Sequence, residues 1–436
     1  MFAYSLRMAV HSLKRNRALT ALMVLALALG IGACMTTLTV FRILSGDPLP
    51  GRSQSLHYVQ LDAGSLDGYA PGREPQTLLT RYDAETLLRE ARADRQALMT
   101  AGRVSIQPEH NGLRNFLSNA RYASADFFAL FDAPLRYGRA WNAGEDAQRA
   151  RVAVISAQLN DKLFGGADSV GRNLVLDGHG FRIVGVLAPW RPVPKFYDLS
   201  GDRFGEPEQV LLPFSTSRDL SLALNGNSVC WGNTGGDPEG RAALNAPCVY
   251  LQYWAQLDTP ERAQQYRRYL DDYSEQQHGA GRFPRPANVR LRDVSEWLRF
   301  NQVVPADVRL QAWLALGFLL ACLVNTVGLL LAKFLRRGGE IGLRRALGAS
   351  RKQIFAHCLA EVGVIGLAGG ALGLLLTLLG LWLVRQQPER YAQLAELDAG
   401  MLAATFALAL VASLAAGLLP AWRAMQVAPA IQLKTQ

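Results

Sequence analysis

The six histidines and five cysteines of this chain are its obvious candidates for metal or nucleophile chemistry, and their spacing supports neither. His11, His57, His110, His179, His278 and His357 are scattered, with no His-x3-His pair, and the cysteines form no Cys-x-x-Cys. Those are the spacings that bring two ligands to one metal ion. A serine nucleophile on a strand-to-helix elbow needs Gly-x-Ser-x-Gly, which is missing. The nearest approach to a phosphate loop is Gly166-Ala-Asp-Ser-Val-Gly171-Arg172-Asn173. It lacks the Lys and Ser/Thr that hold phosphate and Mg²⁺, and reads as a turn between a helix and a strand. The residues call for no catalytic site, no cofactor and no metal.

The chemistry that remains is electrostatic and redox, and it depends on four apolar runs. Ala18–Phe41, Gln311–Ala332, Val362–Val384 and Ala399–Trp422 each lack charge over more than 20 residues. About 20 such residues cross a bilayer core as a helix. The formal charge of +10 sits on the short segments beside these runs. Residues 1–17 carry Arg7, Lys14, Arg15 and Arg17 with no acid, and 333–355 carries seven basic residues against Glu340 alone. The long stretch 42–310 holds 31 basic and 31 acidic side chains. Short basic segments stay on the cytoplasmic side. The expected order is a cytoplasmic amphipathic helix over 1–17, a first span at 18–41 and a large outer domain at 42–310. A second span at 311–332, a cytoplasmic loop at 333–355 and a third span at 356–384 follow. A short outer loop at 385–398, a fourth span at 399–422 and a cytoplasmic tail at 423–436 complete it. Both termini lie inside. The basic balance is explained by membrane orientation, so nucleic acid is not a partner and membrane lipid is.

Two alternatives for the first run fail on length. A signal peptide has a 7–15-residue apolar core. Ile31-Gly32-Ala33-Cys34 loosely resembles a lipoprotein cleavage box, but the apolar run continues seven residues past Cys34. Topology also sorts the cysteines. Cys34, Cys322 and Cys358 fall within or at the edge of spans, leaving Cys230 and Cys248 as the only outer pair. An oxidising compartment favours a disulfide between them, bracketing a Gly/Asn/Pro-rich stretch that offers little core of its own.

The outer region mixes strand and helix signals. Leu56–Leu61, Arg151–Ile155, Asn173–Leu176, Phe181–Leu187, Val249–Leu257 and Ala287–Leu291 read as strands, with Asp177-Gly178-His179-Gly180 as a hairpin turn. Asp83–Met99 reads as helical, and Thr259-Pro260-Glu261 opens a helix to about Gln277. In the cytoplasmic loop, Glu340–Leu347 makes two helical turns closed by Gly348. Ser350 and Gln353 form a capping box that restarts a helix into the third span. The third span carries Gly366, Gly369, Gly370 and Gly373, spacings that let backbones pack closely. Glu361, near its inner end, either pairs with a nearby Arg or snorkels to the interface.

At Glu340-Ile-Gly-Leu-Arg-Arg-Ala-Leu-Gly-Ala-Ser-Arg-Lys-Gln-Ile354 the chain resembles the FtsX-like permease family, in its MacB-type members. Glu361 and the glycine series are similar to the next stretch of that family's sequence, and Leu419–Ala424 and Pro429–Leu433 to its closing motif. Tyr122–Phe128, Gly138-Arg139, Leu163–Gly165 and Gly171-Arg172 are similar to its periplasmic domain. The resemblance implies an α+β membrane protein: four transmembrane helices with a large mixed α/β periplasmic domain inserted between the first and second. It implies a bacterial inner-membrane location and a cytoplasmic ABC ATPase on a separate chain, docking on Glu340, Leu343, Arg344, Arg345, Leu347, Gly348 and Ile354. It also implies a homodimer or a pair with a paralogous permease, packed through the first two spans, and admits a periplasmic adaptor. The function implied is a non-catalytic permease subunit that exports or extracts a substrate from the periplasm or outer leaflet. The alternative is a non-transporting device that regulates a periplasmic enzyme.

Overall fold

The computed structural model describes residues 17–426 apart from 109–111, 233–239, 388–393 and 395–397. The Pro429–Leu433 motif and all but the last residue of the expected helix at 1–17 lie outside the described residues, as does part of the stretch between Cys230 and Cys248. The chain divides into two units, one of Gly46–Val303 and one of Met1–Ser45 with Val304–Gln436.

In the second of these, four helices among the described residues are long and apolar enough to cross a membrane: Arg17–Ser45, Ala306–Arg336, Arg351–Arg385 and Ala399–Met425. Each runs beyond its uncharged stretch, because backbone hydrogen bonding continues through the flanking polar turns. They are referred to below as the first to fourth apolar helices. Threonine hydroxyls in the middle of the first are satisfied by its own carbonyls: Thr36 donates to Gly32 at 2.8 Å and Thr39 to Met35 at 2.8 Å. The core of this unit is apolar side chains from all four helices, among them Met23, Leu27, Leu330, Phe334, Ile365 and Ala409.

The Gly46–Val303 unit is built on a sheet with 12 strands among the described residues. Its central path joins β3 (Arg95–Gln107), β4 (Phe116–Ala123), β6 (Val152–Ile155), β8 (His179–Leu187), β9 (Val210–Pro213) and β11 (Cys248–Gln256). Alternate residues of these strands enter two separate cores. Leu98, Tyr122, Ile155, Leu212 and Tyr253 face one, while Met99, Ala123, Val154, Leu211 and Trp254 face the other. That is the period of two that a pleated strand imposes. Burial on both faces explains near-continuous apolar runs such as Val152–Ile155, all buried. Helices Arg81–Glu90 and Pro260–Gly279 cover the first core, and Val294–Phe300 the second.

Several local readings differ from the structure. The helix expected over Asp83–Met99 ends at Glu90. Ala91 adopts φ 49° and caps it, and Arg95 then begins the 13-residue β3. Pairing with β4 and β11 overrides the helical periodicity there. The hairpin turn is tighter than expected. Asp177 and Gly178 alone connect β7 (Asn173–Leu176) to β8, at φ 47° and 81°, so His179 already pairs with Leu176. Positive φ at both central residues is the type I′ requirement. The last strand, β12, is Arg290–Asp293 rather than Ala287–Leu291, because its register is set by β1 (Leu56–Gln60).

Candidate coupling site

The segment between the second and third apolar helices folds as a short helix, Gly338–Ala346, and its ends are tightly defined. At its C-terminus Gly348 takes φ 100°, its amide donates to Arg345 O at 3.1 Å, and the Ala349 amide donates to Arg344 O at 3.0 Å. This pair of bonds is a Schellman closure, which needs a residue without Cβ penalty at the left-handed position. Two residues later Ser350 caps the third apolar helix. Its Oγ accepts from the Gln353 amide at 3.2 Å while Gln353 Oε1 accepts from the Ser350 amide at 2.9 Å. The short helix is thus joined to the third apolar helix by a two-residue bend with little freedom.

The short helix has two faces. Gly338, Ile341 and Gly342 are buried. Leu343 is 56% and Leu347 80% exposed, the latter the most exposed large apolar side chain among the described residues. Glu340 and Arg344, four apart, pair at 2.9 Å beside them, and Arg345 is half-buried. Ile354 does not share this surface: it is 4% exposed and packs in the helical core. Its side chain belongs to the hinge, not to an outward face.

Glu361 pairs rather than snorkels. Its Oε1 lies 2.5 Å from Lys333 Nζ and its Oε2 lies 3.3 Å from Arg337 Nη1, with Lys333 and Glu361 both buried. The glycine series packs within this chain. A Cβ on Gly369 or Gly373 would lie 3.0–3.1 Å from Leu27 or Ile31 of the first apolar helix. One on Gly366 or Gly370 would lie 2.2–2.7 Å from Ser413 or Ala409 of the fourth. The absence of Cβ is therefore what sets both helix separations.

In the other unit, Cys230 and Cys248 are bonded to each other across the β10–β11 pair, where β10 is Val229–Cys230. Two features of this unit had no local signal. Arg121, fully buried, holds Asp198 Oδ2 at 2.7 Å and also pairs with Glu208. Burial alone would raise the Asp198 carboxyl, but the attraction of Arg121 and Lys195 overrides it and holds the group at about 2. A groove of about 910 Å³ is lined by separate segments that include Arg81, Glu85, Arg89, Asp126, Asp146 and Phe214. Burial pushes the Asp146 carboxyl up against the opposing effect of the Ser215 hydroxyl, which donates to it at 2.6 Å. Among the described residues no group of three or more His, Cys, Asp or Glu is placed to hold a metal.

Comparison with known proteins accounts for both units. Residues 20–273 match the MacB-like periplasmic core domain and residues 313–429 match the FtsX-like permease C-terminal domain. The pyoverdine export ATP-binding/permease protein PvdT of Pseudomonas fluorescens is 24% identical over 438 residues, covering 97% of this chain and 58% of that protein. The macrolide export ATP-binding/permease protein MacB of Salmonella typhimurium is 26% identical over 268 residues, covering 60% of this chain and 35% of that protein. The chain thus spans under two thirds of the length of these relatives. Among solved structures, the periplasmic region of MacB from Actinobacillus actinomycetemcomitans is 14% identical, covers 61% of this chain and 98% of that one, and has a TM-score of 0.37. With a MacB-like core model spanning more than half of the chain and the FtsX-like model following it over the later apolar helices, this multi-pass membrane protein belongs to the MacB-type, FtsX-like family of ABC transporter permeases.

Proposed function

We propose that this chain is the permease of an ABC exporter in a bacterial inner membrane. In this reading the Gly46–Val303 unit is periplasmic and inserted between the first and second spans, and the Gly338–Ala346 helix is cytoplasmic. The charge bias of the short segments supports that orientation. An ATP-binding partner domain seats on Leu343 and Leu347, with Glu340, Arg344 and Arg345 at the rim and Gly348 fixing the angle. ATP-driven closure pushes the short helix, and the spans carry the motion to the periplasmic unit. Two copies, or this chain and a paralogue, complete the permease. The observation that carries the reading is the exposure of Leu343 and Leu347 on a helix capped at its end and joined closely to two spans. A large apolar side chain 80% exposed gains by burial against a partner groove.

The groove of about 910 Å³ in the Gly46–Val303 unit favours handling of a ligand over the alternative, a device that regulates a periplasmic enzyme without transport. The relatives' names speak of pyoverdine and macrolide export; an export or extraction role, from the periplasm or the outer leaflet, is the class proposed for this chain. The test is reconstitution of the full chain in vesicles with its ABC ATPase, followed by ATP turnover. Leu347→Asp should abolish the permease-dependent part, because a charge cannot be buried unpaired in an apolar groove. Leu66→Asp, 59% exposed in the other unit, should leave turnover unchanged. Equal turnover in Leu347→Asp and the unchanged chain would sink the docking assignment.

A further inference from the structure

Lys333 and Arg337 stand four residues apart at the end of the second apolar helix, and so share one face. Arg337 is both the C-cap of that helix and the N-cap of Gly338–Ala346. Glu361 comes from the third apolar helix, beyond the two-residue bend after the short helix. Its two carboxylate oxygens take different cations, Oε1 facing Lys333 at 2.5 Å and Oε2 facing Arg337 at 3.3 Å. The chain thus leaves the second apolar helix, makes the short helix, turns, and enters the third, and this carboxylate bridges the open side of that path. Lys333 is 0% and Glu361 1% exposed.

Stability alone is a poor account of the cluster. Buried ion pairs rarely outperform well-packed apolar side chains, whereas removing one partner is strongly destabilising. What a buried charge pair does well is select one arrangement over its neighbours. We infer that Lys333, Glu361 and Arg337 are positioning residues: a charge latch that holds the short helix at a fixed angle to both flanking spans. A displacement at Leu343 and Leu347 is then delivered to the second and third spans together, instead of bending the joint at Gly348. The geometry of the latch stands by itself; its purpose rests on the coupling role proposed above.

The decisive measurement is the distance between spin labels on the full chain at Leu347→Cys and Leu375→Cys, 80% and 61% exposed, with Cys34, Cys322 and Cys358 changed to Ala. The unchanged latch should give one narrow distribution. Glu361→Gln should broaden or shift it, and the swap of all three charges, Lys333→Glu and Arg337→Glu with Glu361→Lys, should narrow it again. An identical distribution in Glu361→Gln, or a swap that stays broad, overturns the latch. Should Glu361→Gln fail to insert, recovery of insertion and of the narrow distribution in the swap decides in favour, and its failure decides against. In chains retaining Leu347 and Leu375, Glu361→Gln should lower partner-dependent ATP turnover about tenfold while the ATPase still co-elutes. The swap should restore turnover to within about threefold. If the unchanged chain stimulates no turnover at all, the coupling role fails while the distance measurement still judges the latch.

Discussion

Replacing Gly366 with Ala tests whether the small residues of the third apolar helix set its distance from the fourth. Three contacts form an antiparallel seam with a spacing of four: Gly370 against Ala409, Gly366 against Ser413, and Val362 against Gly417. A Cβ on Gly366 would lie 2.2 Å from both Cβ and Oγ of Ser413. Ordinary contact begins at 3.4 Å, so the two backbones must part by at least about 1.2 Å. The Ser413 Cβ is fixed by its main chain, so no rotamer relieves the clash. Overpacking of this kind costs about 1–3 kcal/mol, and between helices in lipid no hydrophobic drive recloses the gap. The assay is unfolding of the purified chain by rising sodium dodecyl sulfate fraction in micelles, followed by circular dichroism. Gly363, with no atom within 4 Å of its would-be Cβ, supplies the control. Gly366→Ala should lose about 1–3 kcal/mol and Gly363→Ala about nothing. Adding Ser413→Gly to Gly366→Ala should return at least about 1 kcal/mol, as a coupled pair must. Equal midpoints for the two alanine variants, or additive behaviour of Gly366→Ala and Ser413→Gly, would refute the seam.

Gly348→Ala isolates backbone conformation from sterics, since φ is 100° and nothing lies within 4 Å of the added carbon. It should cost about 1–2 kcal/mol and lower partner-dependent ATP turnover severalfold; full turnover would argue against a rigid joint. The Asp198 carboxyl, held at about 2 against an ordinary value near 3.9, adds stability that is complete above about pH 4 and is lost as pH falls towards 2. The loss should be about 2 kcal/mol, read as a steeper acid unfolding curve by near-ultraviolet circular dichroism than that of Asp198→Asn; coincident curves would contradict the assignment. The Cys230–Cys248 bond closes a loop with sequence separation 18, for which a chain-entropy estimate is about 3 kcal/mol. An impermeant thiol reagent should therefore modify neither residue in denatured chain prepared without reductant, and modification of both would show that the bond is not formed in the cell.

Signals carried by neighbouring residues were legible. Thr259 accepts from the Arg262 amide ahead of Pro260, as the N-cap pattern requires, and the Ser350–Gln353 box is formed reciprocally. The four apolar runs and the turn at Asp177-Gly178 are equally local. What distant residues decide was not legible. Leu87, Leu88, Ala97 and Leu98 fit a helical stripe until β11 claims the second pair for a strand. Arg121, Asp198 and Glu208 are 77 and 87 residues apart, so nothing in their surroundings announces a shared site. Lys333 passed as one orienting charge among seven, although it is wholly buried on Glu361. The glycine series was visible, but not that its alternate members face different helices.

The packing of the first apolar helix also has a meaning in time. Its contacts come from the third helix at Gly369 and Gly373 and from the second at Leu319 and Cys322. The second helix begins at Ala306, some 260 residues after Ser45. At about 5–20 residues per second, a ribosome takes roughly 13–50 s to supply it. Through that interval the first helix waits in lipid without its partners. Three of its hydroxyls can wait: Thr36, Thr37 and Thr39 donate to carbonyls of their own helix and need no neighbour that has yet to be made. The surfaces around Gly30 and Gly32, which face the second and third helices once these exist, by contrast stay open to any other small-residue helix during synthesis, so assembly of this chain is most vulnerable to a wrong partner before its second half exists.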